Sequence, residues 1–182
     1  MMRKMLLIGI LTFGAAFPAS AQDSSDRFSG FALYSGTEAV GTFSEGSATK
    51  TVGGFAGASW SHGRLYTAVE AQAAIGLGFA EDLGSAFEPH RTASLSALAG
   101  VHASPNLILY GRIGAAYAHL RARRAGTIDH EHATGLRLGV GADYRITPNY
   151  RLRSELGRNY LGGVDAERLE QTEIRFALVR RF

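Results

Sequence analysis

The sequence has 182 residues and no cysteine, which suits one domain and excludes a disulfide framework or a thiolate metal site. Its 19 basic and 16 acidic residues give a net charge of +3, but Arg3 and Lys4 lie in an N-terminal leader, and 19 less those two leaves 17 against 16. That near-balance offers no electrostatic case for a nucleic-acid partner, and none is expected.

In chain order, the first element is the leader. Arg3 and Lys4 precede a short apolar core from Met5 to Phe17, and Ala19-Ser20-Ala21 supplies small residues for cleavage. The apolar core is shorter than the roughly 18–20 residues a bilayer-spanning helix needs. A signal peptide over 1–21 is expected, cut after Ala21, with one domain over 22–182.

The remainder reads with a period near two. Two strands with blurred faces are predicted near 28–35 and 50–61, then strands over 65–77, 90–103 and 107–123. The last three alternate clearly. Leu136, Leu138, Val140, Ala142, Tyr144 and Ile146 oppose Arg137, Gly139, Gly141, Asp143 and Arg145. Tyr150, Leu152, Leu156 and Tyr160 oppose Arg151, Arg153, Glu155 and Asn159. Ile174, Phe176, Leu178 and Phe182 oppose Glu173, Arg175, Ala177, Val179 and Arg181. That makes eight strands. Short turns fall at Ser61-His62-Gly63-Arg64, Ser104-Pro105-Asn106 and Thr147-Pro148-Asn149. Long polar connections are expected near 36–49, 78–89, 124–133 and 162–170.

Three short turns alternating with four long loops fit eight up-and-down strands with both termini on the short-turn side. Short turns on one side and long loops on the other are the habit of bacterial outer-membrane barrels. The polar faces are rich in arginine, glycine and alanine, which suits a crowded interior. The apolar faces end in Tyr144, Tyr150, Tyr160 and Phe182, as at a membrane interface. A lipocalin-like soluble barrel or a sandwich would put its charged face outward. The predicted fold is therefore all-β: an eight-stranded antiparallel up-and-down transmembrane β-barrel, closed because lipid cannot satisfy an open sheet.

The segment Ile174-Arg175-Phe176-Ala177-Leu178-Val179-Arg180-Arg181-Phe182 resembles the outer-membrane assembly signal, carried by Ile174, Phe176, Leu178 and Phe182. With Gly53-Gly54-Phe55-Ala56-Gly57 and the run from Leu109 to Tyr117, the mature chain resembles the small eight-stranded family of OmpA-like transmembrane domains and opacity-type surface proteins. The resemblance implies residence in the bacterial outer membrane, lipid and lipopolysaccharide as surroundings, insertion by the outer-membrane assembly machinery, and a monomer. Arg180 departs from the pattern, at an outward position the family fills with an apolar residue. It lies close enough to the periplasmic end to snorkel.

Turning the polar faces inward places Glu70, Gln72, Arg112, Arg137, Asp143, Arg145, Arg151, Arg153, Glu155, Glu173 and Arg175 in the lumen. Eight strands enclose a space that side chains fill, and buried charges persist mainly when paired, so a plug of ion pairs is expected. The alternative is a narrow arginine-lined path that favours anions. On the outward face, at about 2.5 Å of height per tilted residue, Arg121 stands roughly 35 Å above Leu107 and beyond an apolar band of about 25 Å. Arg121, Arg123 and Arg124 are therefore candidates for lipopolysaccharide phosphates, which guanidinium groups pair well. Glu38, Glu45, Glu81, Asp82, Glu88, Asp129, Glu131, Asp165, Glu167 and Glu170 are assigned to hydrated outer loops, without calcium-loop spacing.

Catalytic signals are weak. Some outer-membrane deacylases carry a His-x-Ser pair with a carboxylate, and His132-Ala133-Thr134 with Asp129 or Glu131 is a distant version with threonine for serine. His130-Glu131-His132 with His90 or His119 lacks a third metal ligand at diagnostic spacing. No glycine-rich phosphate loop opens a helix. The expectation is a non-enzymatic barrel without cofactor or metal, supporting the envelope and presenting loops outside. The alternatives are a small porin-like channel and a lipid A-modifying enzyme.

Overall fold

The computed structural model describes residues 30–44, 47–77, 87–124, 127–162 and 168–182. The expected signal segment and residues 22–29 lie outside them. The described residues form β1 (Gly30–Ser44), β2 (Ser47–His62), β3 (Leu65–Gly76), β4 (Phe87–Ser104), β5 (Leu107–Arg124), β6 (Thr127–Arg145), β7 (Tyr150–Gly162) and β8 (Arg168–Arg181). Each strand pairs antiparallel with its sequence neighbours, and β1 pairs with β8 to close a barrel. At the seam the Phe182 N–H donates to the Leu33 carbonyl at 2.9 Å.

Two of the expected long loops are strand instead. β1 and β2 pair without a break up to Ser44↔Ser47, so most of 36–49 belongs to a hairpin. β5 and β6 run together to Arg124↔Thr127, which likewise removes the loop expected over 124–133. The reason lies in the residues. Gly36, Thr37, Glu38, Gly41 and Thr42 carry little hydrophobic contrast between faces, so a period-two signal is lost although the backbone continues its ladder. The other two gaps stand where loops were expected, with β3 ending at Gly76, β4 starting at Phe87, β7 ending at Gly162 and β8 starting at Arg168.

The faces follow strand parity. Leu95, Ile113, Val140, Leu152, Leu156 and Phe176 are exposed on the outside, while Glu70, Arg112, Asp143, Arg153 and Arg175 are buried inside. In a soluble protein this inversion would be ruinous; in lipid the outer face is the solvated one. Exposed aromatics mark both rims of the apolar band. Phe31, Trp60, Tyr144, Tyr150 and Phe182 ring the short-turn end, and Phe43, Tyr117 and Tyr160 the other.

Inside, two tyrosines lie flat across the wall, each over a glycine on the next strand. Tyr34 pairs with Gly57, and Tyr110 with Gly141. A Cβ on Gly57 would stand 2.6 Å from the Tyr34 hydroxyl, and one on Gly141 only 2.5 Å from that of Tyr110. The missing side chains let the rings pack down and aim their hydroxyls at the barrel axis. Gly141→Ala is expected to cost about 1–3 kcal/mol, as overpacking does, measured by urea unfolding in lipid vesicles. Gly54→Ala is its control, because a Cβ there meets only the Gly36 carbonyl, at 3.4 Å. It is expected to change stability by less than about 0.5 kcal/mol.

Candidate functional site

The lumen is crossed by one continuous network of ion pairs drawn from β1, β3, β5, β6, β7 and β8, to which β4 adds the Ser94 hydroxyl and β2 the Phe55 ring. Near the short-turn end, Asp143 takes Arg153 in a fork, with Nε to Oδ1 at 2.7 Å and Nη2 to Oδ2 at 3.0 Å. The same guanidinium gives Nη1 to Glu70 Oε2 at 2.5 Å. It also lies over the rings of Phe55, Tyr110 and Tyr34, at 5.0, 5.3 and 5.7 Å from their centroids. Arg153 is thus held by two carboxylates and boxed by three aromatic faces, an arrangement that favours a weakly hydrated planar cation.

Glu70 passes the network on. Its Oε1 accepts from Arg112 Nη2 at 2.7 Å, and the Tyr34 hydroxyl donates to its Oε2 at 3.1 Å. Arg112 Nε donates to Glu155 Oε2 at 2.9 Å, as does the Tyr110 hydroxyl at 2.9 Å. One layer outward, Arg137 reaches Glu155 at 3.3 Å and Glu173 at 3.5 Å, and donates to Gln72 and Ser94. Arg175 pairs with Glu173 at 3.0 Å and Glu38 at 3.2 Å, and donates to Gln72 at 2.7 Å. Gln72 in turn donates to Glu38, and Asn159 to Glu173. Four arginines therefore share five carboxylates with almost no water contact. Such a network persists because all but one of its charged members have two or more partners, and the exception, Asp143, holds Arg153 by both oxygens; single pairs rarely repay the loss of hydration. Above it remains a cavity of about 30 Å³ lined by Thr42, Thr51, Asn159 and Leu161 among others.

Most lumen residues expected from the sequence meet here: Glu70, Gln72, Arg112, Arg137, Asp143, Arg153, Glu155, Glu173 and Arg175. Arg145 and Arg151 do not join. They are half-buried partners directly across the β6–β7 ladder at the short-turn mouth, and neither forms an ion pair among the described residues. Two like charges face each other, and the carboxylate within reach, Asp143, is already forked onto Arg153. Glu38 corrects the sequence reading the other way. Assigned to an outer loop, it is buried in the lumen on Arg175. Tyr34, Phe55 and Tyr110 were also missed. The available signal was glycine opposite an aromatic, which requires the strand register to be known.

On the outside, Ile174, Phe176, Leu178 and Phe182 are all exposed on the lipid face, and the Arg180 guanidinium lies 5.0 Å over the Phe182 ring. Arg121, Arg123 and Arg124 are in β5, but their side chains lie outside the described residues, as do those of His90, Asp129, His130 and Glu131. His132 and Thr134 point outward with Ala133 inward. The His132 Nδ1 meets the Tyr117 hydroxyl at 2.5 Å and His119 Nδ1 at 3.2 Å. Among the described residues no group of three or more His, Cys, Asp or Glu converges as a metal site.

Residues 9–182 match the sequence family described as the outer membrane protein beta-barrel domain. No curated relative is detectably similar in sequence. Among solved structures the barrel is similar to Neisserial surface protein A, at 18% identity and a TM-score of 0.56, covering 85% of this chain and 98% of that one. It is similar to Ail, the attachment invasion locus protein of Yersinia pestis, at 15% identity and a TM-score of 0.57, covering 84% and 97%. The N-terminal β-barrel domain of Pseudomonas aeruginosa OprF gives 17% identity and a TM-score of 0.51, covering 80% and 96%. At these identities the likeness is one of fold.

Proposed function

Because the chain belongs to the outer membrane protein beta-barrel domain family and resides in the bacterial outer membrane, we propose that it is a closed, non-enzymatic barrel that anchors a contact surface outside the cell. One observation carries the reading: the lumen is crossed by mutually paired charges, which supports a closed barrel over an open aqueous path. A transport role needs a polar, water-filled lumen. Here the arginines that would line such a path are occupied by Glu70, Asp143, Glu155, Glu173 and Glu38.

The outward side supports the contact role. The β1–β2 and β5–β6 ladders pair out to Ser44↔Ser47 and Arg124↔Thr127, which gives outward contacts a hydrogen-bonded base. Two similar barrels carry names that speak of a surface protein and of attachment; for this chain the same kind of role is our reading. In this picture Arg121, Arg123 and Arg124 meet lipopolysaccharide phosphates at the rim. Replacing all three with glutamine is expected to reduce lipopolysaccharide co-purification. Ile174, Phe176, Leu178 and Phe182 serve as the handle for the assembly machinery, and removing Phe182 is expected to lower the inserted fraction.

The test is planar-bilayer recording of the purified barrel. No reproducible conductance steps are expected; a stable anion-selective step would replace this reading with a channel. Lipid A from expressing cells, compared by mass spectrometry with that from cells lacking the protein, is expected to be unchanged. A mass shift that depends on the protein would instead make it an enzyme.

A further inference from the structure

At the outer rim, facing away from the lumen, three atoms of metal-ligating type converge. His119 on β5 and His132 on β6 are direct cross-strand partners. Tyr117 lies two residues before His119 on the same face, and so is the diagonal neighbour of His132, within reach of a long side chain. The Tyr117 hydroxyl and the His119 Nδ1 both approach one atom, the His132 Nδ1, at 2.5 and 3.2 Å. The Tyr117 and His132 rings stack at 23°, and the two imidazole centroids are 4.7 Å apart.

A ring nitrogen has one lone pair or one N–H, never both, so His132 Nδ1 cannot satisfy two neighbours in the ring plane. Three electron-rich atoms gathered on one point suit a cation better than a proton. For a tetrahedral ion with bonds of about 2.0–2.1 Å, two ligand nitrogens stand about 3.3 Å apart. The observed nitrogen separation is 3.2 Å, and the Tyr117 oxygen, at 2.5 Å from the His132 nitrogen, would swing outward to join the ion. We infer that Tyr117, His119 and His132 form a three-ligand site for a divalent transition ion, Zn²⁺ or Cu²⁺, with water completing the shell. Imidazole donors select these ions over Mg²⁺ or Ca²⁺, which prefer oxygen.

The placement gives the site a role. Tyr117 belongs to the aromatic rim, and beyond it β5 and β6 continue as a paired hairpin to Arg124↔Thr127. An ion held by one residue pair from β5 and one residue from β6 pins the two strands at the point where they leave the apolar band. Exposed Arg91, the β4 partner of His119, places a positive charge beside the site and weakens cation binding without removing a donor.

The test uses the untagged full-length barrel refolded in detergent, titrated with Cu²⁺ alone and followed by electron paramagnetic resonance. One equivalent is expected to bind, with hyperfine splitting from two nitrogens. His119→Ala and His132→Ala are each expected to lower affinity by at least about tenfold, and to lose the two-nitrogen signature. Tyr117→Phe is expected to keep both nitrogens and weaken binding severalfold. His102→Ala, which alters an imidazole inside the barrel, is expected to leave binding unchanged. All three site residues are on the outer surface, so folding can be verified separately by the gel shift between boiled and unboiled barrel. No stoichiometric Cu²⁺ binding by the folded protein, or the two-nitrogen spectrum surviving in either histidine variant, overturns the site. Unchanged affinity in Tyr117→Phe overturns the three-ligand assignment.

Discussion

Replacing Glu70 with alanine is expected to lower the unfolding free energy of the barrel in lipid vesicles by about 3–5 kcal/mol. Glu70 is fully shielded and holds two arginines at once, Arg112 through Oε1 and Arg153 through Oε2, besides the Tyr34 hydroxyl. Removing it leaves two guanidinium groups buried with half their anionic partners gone. Arg112 keeps Glu155, and Arg153 keeps Asp143. The cost therefore reflects stranded charge more than the lost contacts. A control separates this from a general effect of acid removal. Glu170 pairs with Arg158 at the surface, where both side chains are about half exposed (47% and 54%). Glu170→Ala is expected to cost less than about 1 kcal/mol, as exposed pairs do. A compensated variant sharpens the point: Glu70→Leu combined with Arg112→Met should recover part of the loss, because apolar groups of similar volume replace an ion pair well. Urea unfolding monitored by tryptophan fluorescence checks all three. A Glu70→Ala loss below about 1 kcal/mol would mean that the network is not what holds the lumen together.

The second large effect is on the other face. Val140 is 62% exposed and lies on β6 midway between the Tyr144 rim and the opposite one. Val140→Arg is expected to cost about 2–4 kcal/mol, the depth-dependent cost of a cation at the bilayer midplane. Tyr144→Arg, near the interface, is expected to cost only about 0–1 kcal/mol for its charge. On a water-soluble barrel both positions would be ordinary surface, and each change would fall within about 0.5 kcal/mol. The depth profile thus tests the membrane assignment in energetic terms, using the same unfolding assay.

How much of this was legible in the sequence depended on contrast between faces. β6, β7 and β8 alternate leucine, valine and tyrosine against arginine, glycine and acid, so parity alone assigns Arg137, Asp143, Arg153, Glu155 and Arg175 to the inside. β1 has threonine, alanine and glycine at Thr37, Ala39 and Gly41, where its outer face should be apolar. Its inward Glu38 therefore reads as loop, and a member of the network was lost with it. The tyrosine–glycine pairs and the Tyr117–His119–His132 cluster were hidden for a different reason. Both depend on cross-strand register. β5 and β6 pair as far as Arg124↔Thr127, where a long loop had been expected, so their register could not be read from the sequence. Strand identity is written locally, whereas neighbours across strands are written in the turns.

The seam between β1 and β8 joins Tyr34 to Arg181 and Phe43 to Thr172, so it unites parts of the chain that leave the ribosome far apart in time. Until β8 arrives, seven assembled strands would face lipid with raw backbone on two sides, at several kcal/mol for each unmet amide or carbonyl. Partial barrels therefore have no stable place in the bilayer, and insertion and closure become a single cooperative event. Its barrier is dominated by bringing distant segments together, which makes it intrinsically slow. Substitutions along this seam should alter the rate at which barrels appear in the membrane more than the lifetime of barrels already there.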